Sequence, residues 1–134
     1  MAFIKYRAQP EFDEWSATMG QLLEDPAYNP DFGLLFDRRD VPRPANTSYI
    51  KRIVHFIDSR QGTRSIGRCA TVVGDLGSYG MGRMAEQITN YENSFRTFHT
   101  MEEAEQWLAT GILVAAVPEA AASFQGPTLM AKVV

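Results

Sequence analysis

Residues 69–88 read CATVVGDLGSYGMGRMAEQI and change their period partway along. Cys69, Ala70, Val72 and Val73 are apolar and rich in β-branched side chains, the composition of a buried strand, which we place over Ser65 to Gly74. Gly74 to Gly82 (GDLGSYGMG) then makes a turn, and Met81, Met84, Ala85 and Ile88 recur at offsets of three and four, one face of a helix. A strand that feeds straight into a helix is half of a βαβ unit, and the same succession lies on both sides of it. Upstream, Phe3 to Ala8 alternates as a half-exposed edge strand. Phe12, Trp15, Met19, Leu22 and Leu23 form a helical stripe that ends at Pro26 and Pro30, and Phe32 to Phe36 (FGLLF) is a short central strand. The proline-containing loop Arg38 to Thr47 follows. Thr47 or Ser48 then caps a helix whose Ile50, Ile53, Val54 and Ile57 share a face, and Gly62 closes it. Downstream, Ser94 to His99 is a fourth strand. Thr100 caps the next helix with Glu103 as its reciprocal partner, and Met101, Ala104, Trp107 and Leu108 face inward.

Four strand-plus-helix units in succession predict an α/β chain with a mainly parallel sheet and right-handed crossovers. The length of 134 residues and the 45% apolar content fit one core and one domain. We assign the fold to residues 1–109 and read 110–134 as an apolar tail, packed on the domain or in a subunit contact. A single cysteine, Cys69, excludes a disulfide framework and reads as a small buried hydrophobe. No stretch resembles a signal peptide or reaches the length of a membrane span, so a cytoplasmic protein is expected. The formal charge of −3 hides an asymmetry: Arg38 to Arg68 carries eight basic residues against Asp40 and Asp58, a net +6, leaving −9 elsewhere.

Three stretches together resemble a known group: DPAYNPDFGLLFDRRD (Asp25 to Asp40), CATVVGDLGSYGMGRMAEQI (Cys69 to Ile88) and FRTFHTMEEAEQWL (Phe95 to Leu108). They are similar to the STAS/SEC14-like proteins of the SpoIIAA-like superfamily, small bacterial proteins with an Asp-Arg pair ending one strand and a Trp-Leu pair ending the last helix. The resemblance covers about residues 1–109 and implies a (βα) superhelix. It also implies either a regulatory protein contact controlled by a phosphorylated serine or an apolar lipid pocket. Here the relevant helix starts at Asn46-Thr47-Ser48, which lacks the acidic residue and the glycine of the Asp-Ser-(Ser/Thr)-Gly phosphorylation motif. An N-cap is the simpler role for these residues.

Ligands of open parallel sheets bind beyond the carboxyl ends of the strands. That rule selects Asp37, Arg38, Arg39, Thr47 and Ser48 after one strand, Asp75, Ser78 and Tyr79 after the next, and His99 after the last. Helix N-termini at Ser48 and Ser78, with a guanidinium fork from Arg38 or Arg39, suit a small anion. The glycines of the turn fit neither a dinucleotide nor a phosphate-loop pattern, and two histidines with one cysteine make no zinc site, so no cofactor or metal is expected. Nucleic acid is disfavoured because basic residues are not interleaved with exposed aromatics. The chain therefore reads as a non-catalytic regulatory or ligand-binding module for a partner protein or a small anionic or lipid-like ligand. The alternatives are a small serine hydrolase using Ser78 and His99, or a structural subunit forming a homodimer through its tail.

Overall fold

The computed structural model describes residues 2–61, 67–91, 94–110 and 130–133. Strands and helices alternate: β1 Ala2–Lys5, α1 Phe12–Glu24, β2 Leu34–Asp37, α2 Thr47–Gln61, β3 Cys69–Val72, α3 Leu76–Ile88, β4 Phe95–Phe98, α4 Met101–Thr110 and β5 Met130–Val133. All strand pairs are parallel, in the order β4-β3-β2-β1-β5. The predicted α/β class with four strand-helix units in one parallel sheet is thus observed. Two corrections come with it. A fifth strand joins the sheet, and because it pairs with β1, that strand is internal rather than at the edge. Residues 111–129, most of the apolar tail, lie outside the described residues, as does Gly62.

Right-handed connections dictate where the helices go. Stepping from β1 through β4 in one direction places α1, α2 and α3 on one face, and the return from β4 to β5 places α4 on the other. Two cores follow that division. Leu34 and Phe36 of β2 join Ile4, Tyr6, Trp15, Met19, Ile57 and Cys69 on the three-helix face, whereas Leu35 joins Ala70, Val72, Phe98, Trp107 and Leu108 on the α4 face. Leu34, Leu35 and Phe36, the continuous apolar end of FGLLF, feed both cores because successive side chains point to opposite faces. No described helix is long and apolar enough to cross a membrane.

Several local expectations shift. Phe32 closes a single 3-10 turn, Pro30–Phe32, and Gly33 turns the chain at φ 73° before β2 begins. The cap of α2 is Asn46, whose Oδ1 accepts from the Tyr49 N–H at 2.8 Å, so Thr47 and Ser48 are already in the helix. In an Asn-Thr-Ser run all three side chains can cap, and the chain direction into the helix decides among them. Ile88, assigned to the inner face of α3, is 36% exposed, while Ser78 takes a buried place on that helix. Thr100 does cap α4 by accepting from the Glu103 N–H at 3.2 Å. The Glu103 carboxylate accepts from the Thr100 hydroxyl at 3.0 Å instead of reaching back to the backbone.

On the outer edge of β4 one backbone N–H is capped by a side chain. Glu86 of α3, buried, accepts from the backbone N–H of Thr97 at 3.2 Å and is held by Arg83 and Arg96, each at 2.9 Å. Directly beneath the same helix, α3 approaches the sheet at Gly82, where a Cβ would stand 2.2 Å from Thr97 Oγ1. That contact fixes how α3 roofs the sheet.

Candidate functional site

A cavity of ≈ 70 Å³ lies between the three-helix face of the sheet and the roof made by α2 and α3. Its walls are mostly apolar, with Phe36, Ile50, Ile53, Val73, Met81 and Phe95 among them, and Arg38 is the one charged residue lining it. Period-two alternation puts it there: Asp37 points to the α4 face, so Arg38, the next residue, turns to the opposite one. Its backbone N–H is held by Val72 O at 2.8 Å. The guanidinium is half-buried, lies 5.3 Å from the centre of the Tyr6 ring, and donates to Gln9 Oε1. Among the described residues it makes no ion pair with a carboxylate. Burial pulls its pKa below the usual arginine value, opposed by the nearby Tyr6, Tyr49 and Asp75.

The other polar groups of the cavity are hydroxyls. Tyr6 Oη accepts from the Trp15 indole N–H at 2.7 Å, which leaves the phenolic proton without an acceptor among the described residues. Burial also pushes the Tyr6 phenol far above its ordinary pKa, so it stays protonated as a donor. Thr71 and Thr97 are partners in the β3–β4 register and lie side by side on the cavity floor. Neither of their hydroxyls has a hydrogen-bond partner among the described residues. Ser78 lines the cavity too, but its hydroxyl donates to Asp75 Oδ2 at 2.9 Å, and its N–H donates to Asp75 Oδ1 at 2.7 Å. Asp75 is therefore the cap of α3. Those two bonds hold its carboxyl below the usual carboxylate range.

Arg39 is not available as an anion fork. Its Nε and Nη2 each donate to the Asp37 carboxylate at 2.9 Å, a two-bonded pair of the kind that fixes geometry. Asp37 was expected in the loop at the sheet edge. It is instead the last residue of β2, 1% exposed on the α4 face. The Arg39 hydrogen bonds hold its pKa below the ordinary value against the opposing effect of burial. A depressed carboxylate stabilises the fold above its unfolded pKa, and that contribution is lost as pH falls through the lower, folded value. Asp37→Asn is expected to cost about 1.5–3 kcal/mol near neutral pH. Urea midpoints measured from pH 7 down to pH 3 should fall more steeply for the wild type than for the variant. Parallel curves would contradict this assignment.

The remaining predicted residues separate into two places. Tyr79 and His99 stack at 4.2 Å between ring centres, 20° from parallel, where the loops after β3 and β4 diverge to opposite faces. Since Ser78 is bonded to Asp75 and His99 to the Tyr79 face, the described contacts contain no Ser78–His99 hydrogen bond. Thr47 and Ser48 line a second, open groove along the outer side of α2 with Lys51, Arg52 and His55. The basic stretch accordingly disperses: Arg38 enters the cavity, Arg39 pairs with Asp37, Arg52 lies over the Phe12 ring, and Arg68 donates to Leu108 O at 2.7 Å. Of nine predicted site residues, Arg38 and Ser78 meet in the cavity, with Asp75 attached through Ser78. Tyr6, Thr71 and Thr97 were not anticipated. The signal for the threonines is faint: two threonines, each mid-strand, on faces that should be apolar. No family model, no curated protein and no solved structure matches the chain.

Proposed function

We propose that this protein is a non-catalytic binding module of STAS/SEC14-like type that takes a small anionic ligand into the cavity beneath α3. The observation that carries the reading is Arg38: a half-buried guanidinium on an apolar cavity, with no carboxylate paired to it among the described residues. Burying a charge is costly unless it is paired, and a bound anion supplies the missing partner. Tyr6, Arg38 and Val73, which line the cavity, directly follow β1, β2 and β3, at the carboxyl edge where parallel sheets bind ligands. The stepwise progress of the first three strand-helix units in one direction supports the superhelical reading. The size of the cavity favours a compact ligand over a lipid chain.

The test is an Arg38→Leu variant, which keeps side-chain bulk and removes the charge. Ligand-free, it is expected to unfold at the same denaturant concentration as the wild type or about 1 kcal/mol later, since replacing an uncompensated buried ion with a hydrophobe is neutral to stabilising. Anion binding should be lost, followed through the fluorescence of Trp15, which lines the cavity. A strongly destabilised variant that still binds anions would make Arg38 a structural residue and remove this function.

A further inference from the structure

The cavity restricts which anions fit it, and this inference rests on the reading of Arg38 as the ligand's counter-ion. Charge is the first restriction. Arg38 is the sole charged lining residue, and Asp75 lies close enough to act on it electrostatically. One guanidinium compensates at most a single negative charge, and the nearby Asp75 carboxylate weakens even that, so a phosphate or dicarboxylate dianion would be strongly under-neutralised. The N-terminal donors of α3 do not help, because Asp75 already occupies the Ser78 N–H. Donor geometry is the second restriction: a planar fork matches a carboxylate, with the free Tyr6 proton as a further donor.

Size and the floor supply the rest. A volume of ≈ 70 Å³ holds roughly five to seven water-sized groups at ~10–15 Å³ each, too few for a long acyl chain. Arg38 stands level with Val73 in the extension of the β2–β3 register, and Thr71 lies two residues back along β3. Two residues of strand cover about 6–7 Å. At that depth Thr71 and Thr97 line the cavity side by side, and their hydroxyls, with no partner among the described residues, can each donate to or accept from a ligand oxygen. The walls between are apolar.

We propose that the ligand is a short monocarboxylic acid, about four or five carbons long, carrying one carbonyl or hydroxyl oxygen at the end away from its carboxylate. The carboxylate sits on the Arg38 fork and Tyr6, the methylenes lie between Phe36 and Val73, and the distal oxygen meets Thr71 and Thr97.

Titration of the full chain, by Trp15 fluorescence and calorimetry, with 4-oxopentanoate and four comparators tests this. The comparators are 4-methylpentanoate, which has the same shape without the oxygen, 4-oxopentanamide, inorganic phosphate and decanoate. The 4-oxopentanoate is expected to bind at least about tenfold more tightly than each, the margin of one well-placed polar contact. Thr71→Val should erase the preference over 4-methylpentanoate while leaving carboxylate binding intact, and Arg38→Lys should weaken all carboxylates. Tightest binding of phosphate, or of decanoate, with dependence on Arg38 would overturn the ligand class and leave the Arg38 site standing. Equal binding of the two isosteres would overturn the role of the threonines. Absence of any Arg38-dependent binding would overturn both this inference and the proposed function.

Discussion

A Trp107→Ala variant is expected to unfold about 3–5 kcal/mol more easily than the wild type, the range for removing a large aromatic side chain from a core. Trp107 is 1% exposed and central to the smaller of the two cores. It packs 5.9 Å from the Phe98 ring, and the Arg68 guanidinium lies 5.5 Å from its ring centre. Among the described residues a single helix, α4, covers this face of the sheet, so few of their side chains can move into the space an alanine would leave. The three-helix face has three neighbouring helices to relax a comparable deletion. Denaturant unfolding at unchanged slope reads the effect directly. A loss below about 1 kcal/mol would mean that the α4 face repacks, contrary to the contacts described.

Gly33→Ala is expected to lose about 2–6 kcal/mol, combining backbone strain with overpacking. At φ 73° and ψ −174° the residue occupies a region reserved almost entirely for glycine. There is no room either: a Cβ would meet Arg68 O at 2.7 Å and Leu108 Cδ2 at 2.8 Å. Gly33 accepts from the Ala2 N–H at 3.1 Å while its neighbour Leu34 donates to Arg68 O at 2.8 Å, so a shift there disturbs the amino ends of β1, β2 and β3 together. The charged end of the cavity, at Arg38 and Val73, lies at the opposite, carboxyl end of the strands. Any folded Gly33→Ala protein should therefore keep the wild-type ligand affinity, and a proportionate loss of affinity and stability would refute that separation.

The four strand-helix units were legible because each combines two strong, distinct periods. The helical stripe Phe12, Trp15, Met19, Leu22 and the apolar run FGLLF each carry one clear period. β5 was not legible, since MAKV is too short to carry a pattern and its place depends on pairing with a strand 128 positions earlier in register. The same long-range pairing turned β1 from an edge strand into an internal one. At the candidate site, Arg38 directly follows β2 at the sheet's carboxyl edge, but the sequence alone offers no way to separate it from Arg39. The separation comes from the pleat, which sends adjacent residues to opposite faces, and from Asp37, whose burial depends on Arg39 curling back to it. Thr71 and Thr97 stayed hidden because each is an ordinary strand residue alone. They become a pair only when β3 and β4 lie side by side.

Glu86 has a consequence for how this molecule meets its own copies. An exposed strand edge is a template on which another chain can extend the sheet, and the step needs a free backbone N–H to receive the newcomer's carbonyl. At β4 the Thr97 N–H already has its acceptor, and that acceptor is a carboxylate, which repels an approaching carbonyl oxygen. Arg83 and Arg96 keep the blocking group in place. At Thr97 the edge of β4 is thereby occupied by a charged side chain, which disfavours extension of the sheet through that position.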